Sequence, residues 1–201
     1  MTVPTPINLV VEDPLSDAVA RKILESSKRP FAVGPTYGLT GSGYIRKNIS
    51  RFNVAAKAIP FLVIIDLDRE ECPPLLLSEI LKISKHPNLL IMIPVKEIEA
   101  WLLSHRSAFA EHFRVSENKI PINTEKIDDP KVFLLELIRK SRNKEARLDM
   151  LPIKGTSSKQ GPNYNGRLIS FVESSWNPEQ ASSSSKSLKR ALDRVGEFVS
   201  T

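Results

Sequence analysis

Apolar residues along this chain fall into short unbroken runs separated by stretches of three-to-four spacing, a pattern that predicts strands alternating with helices. Ile7 to Val11 is a short apolar strand candidate, followed at once by Glu12-Asp13-Pro14. Helical spacing then begins, with Leu15, Val19, Ile23 and Leu24 on one face and Ser16 or Asp17 near its start. Ile59 to Ile65 is apolar, rich in β-branched residues and too short for a helix of its own, so it reads as a strand buried on both faces. It ends in Asp66-Leu67-Asp68-Arg69, where period-two geometry predicts both carboxylates on one side of the chain. After Cys72-Pro73-Pro74, Leu76, Ile80, Leu81 and Ile83 suggest a helix. Asn88 to Val95 is a third buried strand, with Pro94 placing its end near a sheet edge or bulge. Lys96-Glu97-Ile98-Glu99-Ala100-Trp101 then opens a helix whose apolar face includes Leu102 and Phe109.

The second half reads differently. A polar connection from Val115 leads to Asp128-Asp129-Pro130-Lys131, where an acid caps a helix, Pro130 suits its first turn, and Val132, Leu135, Leu137 and Ile138 fill the buried side. Asn165 to Trp176 is helical in pattern, with Pro178 ending it. Ser182 to Ser185 is a short linker before a basic amphipathic helix carrying Leu188, Leu192, Val195 and Phe198, which packs on the body or docks a partner. The expected fold is α/β, a mostly parallel Rossmann-like sheet flanked by helices, with a core over residues 1–115 and a mainly helical, basic C-terminal part over residues 116–201 packed on it.

At 201 residues, 41% hydrophobic and 26% charged, the chain suits a globular protein with one sizeable core. The start, Met-Thr-Val-Pro-Thr-Pro, lacks the pattern of a signal peptide, and no apolar run reaches membrane-spanning length, so the cytoplasm is the default location. The single cysteine, Cys72, excludes an internal disulfide framework and a multi-cysteine zinc site. The formal net charge of +6 is unevenly spread: from Arg139 onward 12 Lys or Arg accompany 6 Asp or Glu, while 17 of each precede it. A balanced front holding clustered acids and a basic rear suit a polyanionic substrate held near an acidic metal site.

Open α/β sheets bind ligands at the carboxyl ends of their strands. Glu12, Asp66 and Asp68 are expected there, and carboxylates so placed repel each other unless a hard cation such as Mg2+ or Mn2+ joins them. Capping of a helix is the alternative role for Glu12. Glu97 and Glu99 follow a third strand end and fall on different helix faces, so one of them reaches the metal. Gly34 to Gly43 reads as a glycine-rich loop ahead of Arg46 and Lys47, either a phosphate cradle or a connector; it is not a Walker A loop. Arg139 to Lys144, with Arg142 in its middle, is a solvated face or a phosphate-binding strip. Lys154 to Asn165 is a polar loop whose Lys154 and Lys159 could close over a phosphodiester. His105 and His112 lack ligand-pattern neighbours and read as surface or capping residues.

Strand–Glu12–helix followed by strand–Asp66-x-Asp68 and a further strand–helix with an acid resembles the Toprim domain of topoisomerases, primases and the nucleases of the OLD (overcoming lysogenization defect) group. Nearly the whole chain is similar to a Toprim-like family of small bacterial proteins, the DUF4276 type. The segments concerned are Val11-Glu12, Asp66-Leu67-Asp68-Arg69, Val95 to Trp101, Asp128 to Lys131, Gly161 to Asn165 and Ser187-Leu188. The resemblance implies Mg2+ held by Glu12, Asp66 and Asp68, with Asp17 and Glu97 or Glu99 helping a second ion. It implies cleavage of nucleic-acid phosphodiesters in an anti-phage setting beside an ATPase partner; DNA is expected ahead of RNA, an oligomer is left open, and no membrane partner is expected.

On that reading Lys154 or Lys159, with Lys96, stabilises the pentacovalent oxygens or the leaving group, and Arg46, Lys47, Arg69 and Arg142 contact nucleic acid. A Toprim-like adaptor that binds nucleic acid or an ATPase without cutting is the non-enzymatic alternative. An aspartate-nucleophile phosphatase using Asp66 and Asp68 is a second enzymatic one.

Overall fold

The computed structural model describes residues 3–201; the first two residues of the segment read above for a signal peptide lie outside it. Four strands form one all-parallel sheet: β1 (Thr5–Val11), β2 (Phe31–Gly38), β3 (Phe61–Ile64) and β4 (Leu89–Met92), in the order β2-β1-β3-β4. β1 therefore has its two successors on opposite sides, and the sheet's switch point lies between β1 and β3. Each connection carries a helix: α1 (Pro14–Ser26), α2 (Ser42–Ala55) and α3 (Pro73–Ile80). This is the α/β, Rossmann-like architecture expected from the alternating runs.

Alternation along the strands separates two cores. Ile7, Leu9 and Val11 of β1, Leu62 and Ile64 of β3, and Leu90 and Met92 of β4 face a large cluster. Val10, Phe61, Val63, Leu89 and Ile91 face a smaller one, closed by Ile45, Ile49 and Phe52 of α2 and by Leu76 and Ile80 of α3. The large cluster is covered by α1 together with the rest of the chain: α4 (Ile98–Ser104), α5 (Arg106–Phe113), α6 (Pro130–Arg139), α7 (Lys144–Met150), α8 (Tyr164–Ser174), α9 (Pro178–Ser182) and α10 (Lys186–Glu197). Residues before and after 115 thus share one apolar core. Trp101 and Phe109 are wholly buried in it, core residues as their spacing suggests.

The last helix packs on the body. Leu188, Ala191 and Val195 are buried, the Trp101 indole N–H donates to Ser187 Oγ at 2.7 Å, and Arg194 donates to the Ile91 carbonyl on the open edge of β4. Ser185 caps the helix through the Leu188 amide, and Glu125 accepts from the Ser187 amide, so the serine stretch is ordered by capping. Asp129 caps α6, as the Asp-Pro signal indicates.

Several expectations change: Val132 of α6 is exposed, and α3 ends at Ile80, short of Ile83. Gly34 to Gly38 belongs to β2, with the turn confined to residues 39–41. Its glycines and Pro35 hid an edge strand, where a missing N–H and a missing side chain are tolerated, and the pairing slips by a residue opposite Ile7 and Leu9. Pro178 opens α9 at its first position and does not merely end α8, because Asn177 caps the new turn.

Candidate functional site

Glu12 and Asp66 leave adjacent strands at the switch point, where parallel α/β sheets offer a crevice. Glu12 Oε1 accepts the Asp66 amide at 3.1 Å, which locks the two acids side by side. The main chain of Glu12 is itself held, since its carbonyl accepts from Gly41 at 2.9 Å and the Val11 carbonyl accepts from Leu39 at 3.0 Å. Those two turn amides, read above as potential phosphate donors, thus clasp the strand end. Asp13 caps α1 by accepting the Ser16 amide at 2.8 Å, so the capping acid is Asp13 and Glu12 is left for the crevice.

The extended geometry that would carry Asp66 and Asp68 to one side stops at Leu67. Asp68 has a left-handed backbone (φ 52°), and so does Lys96 (φ 69°), whose carbonyl accepts the Asp68 amide at 2.8 Å. Four non-glycine residues among those described have positive φ, and three of them, Leu39, Asp68 and Lys96, sit in the loops after β2, β3 and β4. Strain of this kind collects where a backbone is over-determined by its surroundings, commonly at functional edges. Asp68 is exposed and lines a hollow of about 450 Å³ with Arg69, Lys96, Glu97 and Lys159, together with the Asp128–Asp129 pair. Asp66 is enclosed, and its Oδ1 meets neither solvent nor any partner.

Glu99 is a third acid, set behind Asp66. It is 4% exposed, and its Oε1 accepts from the Tyr164 hydroxyl at 2.9 Å, with Lys131 Nζ at 3.9 Å. Lys131 also lies over the Tyr164 ring, 4.9 Å from its centre, and its amide donates to Glu97 Oε2 at 2.9 Å. The starts of α6 and α8 therefore reach across to the acids that follow β4. Neither Tyr164 nor Lys131 is among the expected site residues, although both lie in segments that carry the family resemblance, Lys131 at a helix start and Tyr164 in the polar loop read before α8.

Charge repulsion and dehydration are written into these groups. Burial pushes the Glu12 carboxyl up to about 7, with Asp68 adding repulsion and the Asp66 amide bond offsetting part of it. Burial likewise raises Glu99 to about 7, opposed by Lys131. Asp66 is pushed well above the usual carboxylate range, by burial first and then by Glu99 and Glu12. Burial also raises Asp68, against the pull of Arg46, and Glu97, against its bond from the Lys131 amide.

The basic residues divide. Arg46 pairs with Glu70 at 3.4 Å and Glu79 at 3.2 Å while acting on Glu12 and Asp68. Arg69, Lys96 and Lys159 border the Asp68 hollow. Lys47 is exposed on α2, and Lys154 is exposed in its loop. Arg142 lines a different hollow, with Arg114 and Lys140. Asp17 is engaged elsewhere, accepting from Arg21 and from the Thr36 hydroxyl at 2.8 Å each.

The chain matches no family model, no curated protein and no solved structure. The site must be judged on its own chemistry. Its donors are carboxylate oxygens, the kind that hard divalent ions prefer, and the orphaned Oδ1 of Asp66 is an atom that a cation would satisfy. Among the described residues no three His, Cys, Asp or Glu side chains form a ready-made cage. An ion there would complete its shell with water and substrate oxygens, which is the usual habit of Mg2+.

Proposed function

We propose that this chain is a Mg2+-dependent (or Mn2+-dependent) nuclease of Toprim type, cleaving nucleic-acid phosphodiester bonds, DNA ahead of RNA. The observation that carries the reading is the Glu12–Asp66 pair at the switch point, two locked, repelling carboxylates with an unpartnered, enclosed oxygen between strand ends. A scaffold gains nothing from such a pair, whereas a divalent ion would relieve its repulsion. Glu12 and Asp66 would hold the ion, with Asp68 at the exposed rim. The ion would supply Lewis-acid stabilisation of the transferring phosphoryl group and a bound water as nucleophile.

The chain's own residues then have separable tasks. Lys96 and Lys159, on the rim of the Asp68 hollow, are placed to attract phosphate oxygens, and Arg69 extends that rim. Arg46 tempers the repulsion among Glu12, Asp68 and Glu70. Glu99 serves from behind: held by Tyr164 and Lys131, it raises the electrostatic demand at Asp66 for a cation. The resemblance stated above extends the proposal to an anti-phage role beside an ATPase partner.

The non-cutting adaptor draws on one observation, the lack of a ready-made three-ligand cage among the described residues. An aspartyl phosphatase is disfavoured, because the enclosed Oδ1 of Asp66 has no open side from which to attack a phosphate. Cleavage of supercoiled plasmid with Mg2+ or Mn2+, comparing the native chain with Asp66→Asn, tests the proposal. Metal-dependent cutting lost in the variant supports it. Metal binding without cutting, even with a partner ATPase present, would favour the adaptor.

A further inference from the structure

Away from the acids, Arg114, Lys140 and Arg142 surround a hollow of about 570 Å³ lined also by Val115 and Ser116, with no carboxylate in its wall. Among the described residues none of the three cationic side chains makes a hydrogen bond or an ion pair, although Arg21, Arg46, Arg106 and Arg167 each find an acid. The cations are not there by accident of a loose loop. The Ser141 hydroxyl, on a buried residue, donates to the Phe113 carbonyl, and the Arg142 amide donates to the Arg114 carbonyl at 3.1 Å. Arg147 in turn donates to the Ser141 carbonyl, stapling the turn after α6 to the end of α5.

Arg114 is also the fourth non-glycine residue with positive φ (51°), closing α5 where glycine would be unstrained. An arginine there costs about 1 kcal/mol in backbone conformation. The negative ends of the α5 and α6 dipoles converge on the hollow and offset part of the repulsion among its cations. They supply no hydrogen-bond partner for the guanidinium groups, whose planar forks match phosphate oxygens.

Placement decides between a small anion and a chain of them. Helix α6 joins the two sites: Lys131, in its first turn, touches Glu97 and Glu99, and Lys140 is its C-cap. Nine residues at 1.5 Å rise separate these ends by about 14 Å. A mononucleotide does not span that distance, while a polynucleotide can reach from the Glu97 rim of the Asp68 hollow to these cations. We infer that Arg114, Lys140 and Arg142 form a phosphate-backbone subsite for a nucleic-acid strand that also reaches the Glu97 rim of the Asp68 hollow, one length of α6 away. This rests on the nuclease reading for its substrate class, but its test does not need cleavage.

Binding of a fluorescein-labelled DNA duplex to the full chain is measured by anisotropy in EDTA over a range of salt concentrations. The chain with Arg114→Gly, Lys140→Gln and Arg142→Gln together is compared with the native protein. Each lost phosphate contact removes about 0.9 from the slope of log K against log salt, so the triple variant should lose about 2 to 3. Arg114→Gly relieves a left-handed residue, so the variant should fold at least as well, checked by its melting temperature. Lys140→Glu alone, an exposed change, should weaken binding in the same direction. An unchanged slope, no duplex binding by the native chain, or displacement of the duplex by inorganic phosphate at matched ionic strength would each overturn the subsite. Binding in EDTA that weakens in the triple variant, from a native chain that never cuts with Mg2+, would support the subsite and sink only the nuclease.

Discussion

The Tyr164 hydroxyl donates to Glu99 across 2.9 Å, joining the start of α8 to the first turn of α4 inside the protein. Glu99 bears the strongest repulsion felt by Asp66, so this bond lies one step behind the acids of the crevice. It ties the helical C-terminal part to the electrostatics of the sheet edge. Tyr164→Phe leaves the ring and its Lys131 contact in place while removing one bond to Glu99. The expected result is a folded protein destabilised by about 1 to 2 kcal/mol in urea unfolding. Glu99 should also hold its proton to higher pH, since the lost bond favoured the ionised form. A variant as stable as the native chain would mean that the hydroxyl has no weight there.

Stability without metal should fall as pH rises. Glu12 and Glu99 both titrate near 7 in the folded chain, against an ordinary value of 4.5, so the native state binds more protons than the unfolded one between those values. Their contribution is complete below about 4.5 and is lost as pH climbs through 7. In EDTA the melting temperature should therefore be higher at pH 5 than at pH 8. Mg2+ should raise it more at pH 8, where the acids are ionised, than at pH 5. Equal melting curves at both pH values would contradict the raised carboxyls.

Asp66→Asn replaces a half-buried, repelled acid with a neutral isostere. Melting in EDTA at pH 8 should shift upward, by roughly 2 to 4 °C per kcal/mol gained in a chain of this size. The Mg2+-induced shift should vanish in the same variant, and any nuclease activity should drop by roughly 100-fold or more. A melting temperature lowered by the substitution, with the metal response intact, would remove Asp66 from the site.

Gly38 ends β2 at φ 98°, and a Cβ there would strike the Val11 carbonyl. That carbonyl accepts the Leu39 amide in the turn that clasps Glu12. Gly38→Ala should cost roughly 2 kcal/mol or more, the sum of left-handed strain and a forced backbone shift. Gly41→Ala meets no neighbour and pays only for its positive φ (92°), so it should be the milder change. Denaturation of the pair side by side measures the difference.

Much of this protein was legible in its sequence because the information was local. Unbroken apolar runs marked β1, β3 and β4, Asp129-Pro130 marked the start of α6, and acids directly after strands marked the carboxyl edge. β2 was not legible, because an edge strand with Gly34, Pro35 and Gly38 carries the composition of a turn. Nor was the divergence of Asp66 and Asp68, which depends on the left-handed turn that Lys96 imposes through a bond from another strand's loop.

The sequence alone therefore determined the class of fold and which acids stand at strand ends, since strand and helix periodicity and strand-end chemistry are set by neighbours along the chain. Tertiary structure decided which acids meet. It set Glu12 beside Asp66, brought Thr36 onto Asp17, and brought Tyr164 and Lys131 onto Glu99. Strand order and helix docking bring together residues tens of positions apart, and burial then sets their charge; no local pattern encodes either.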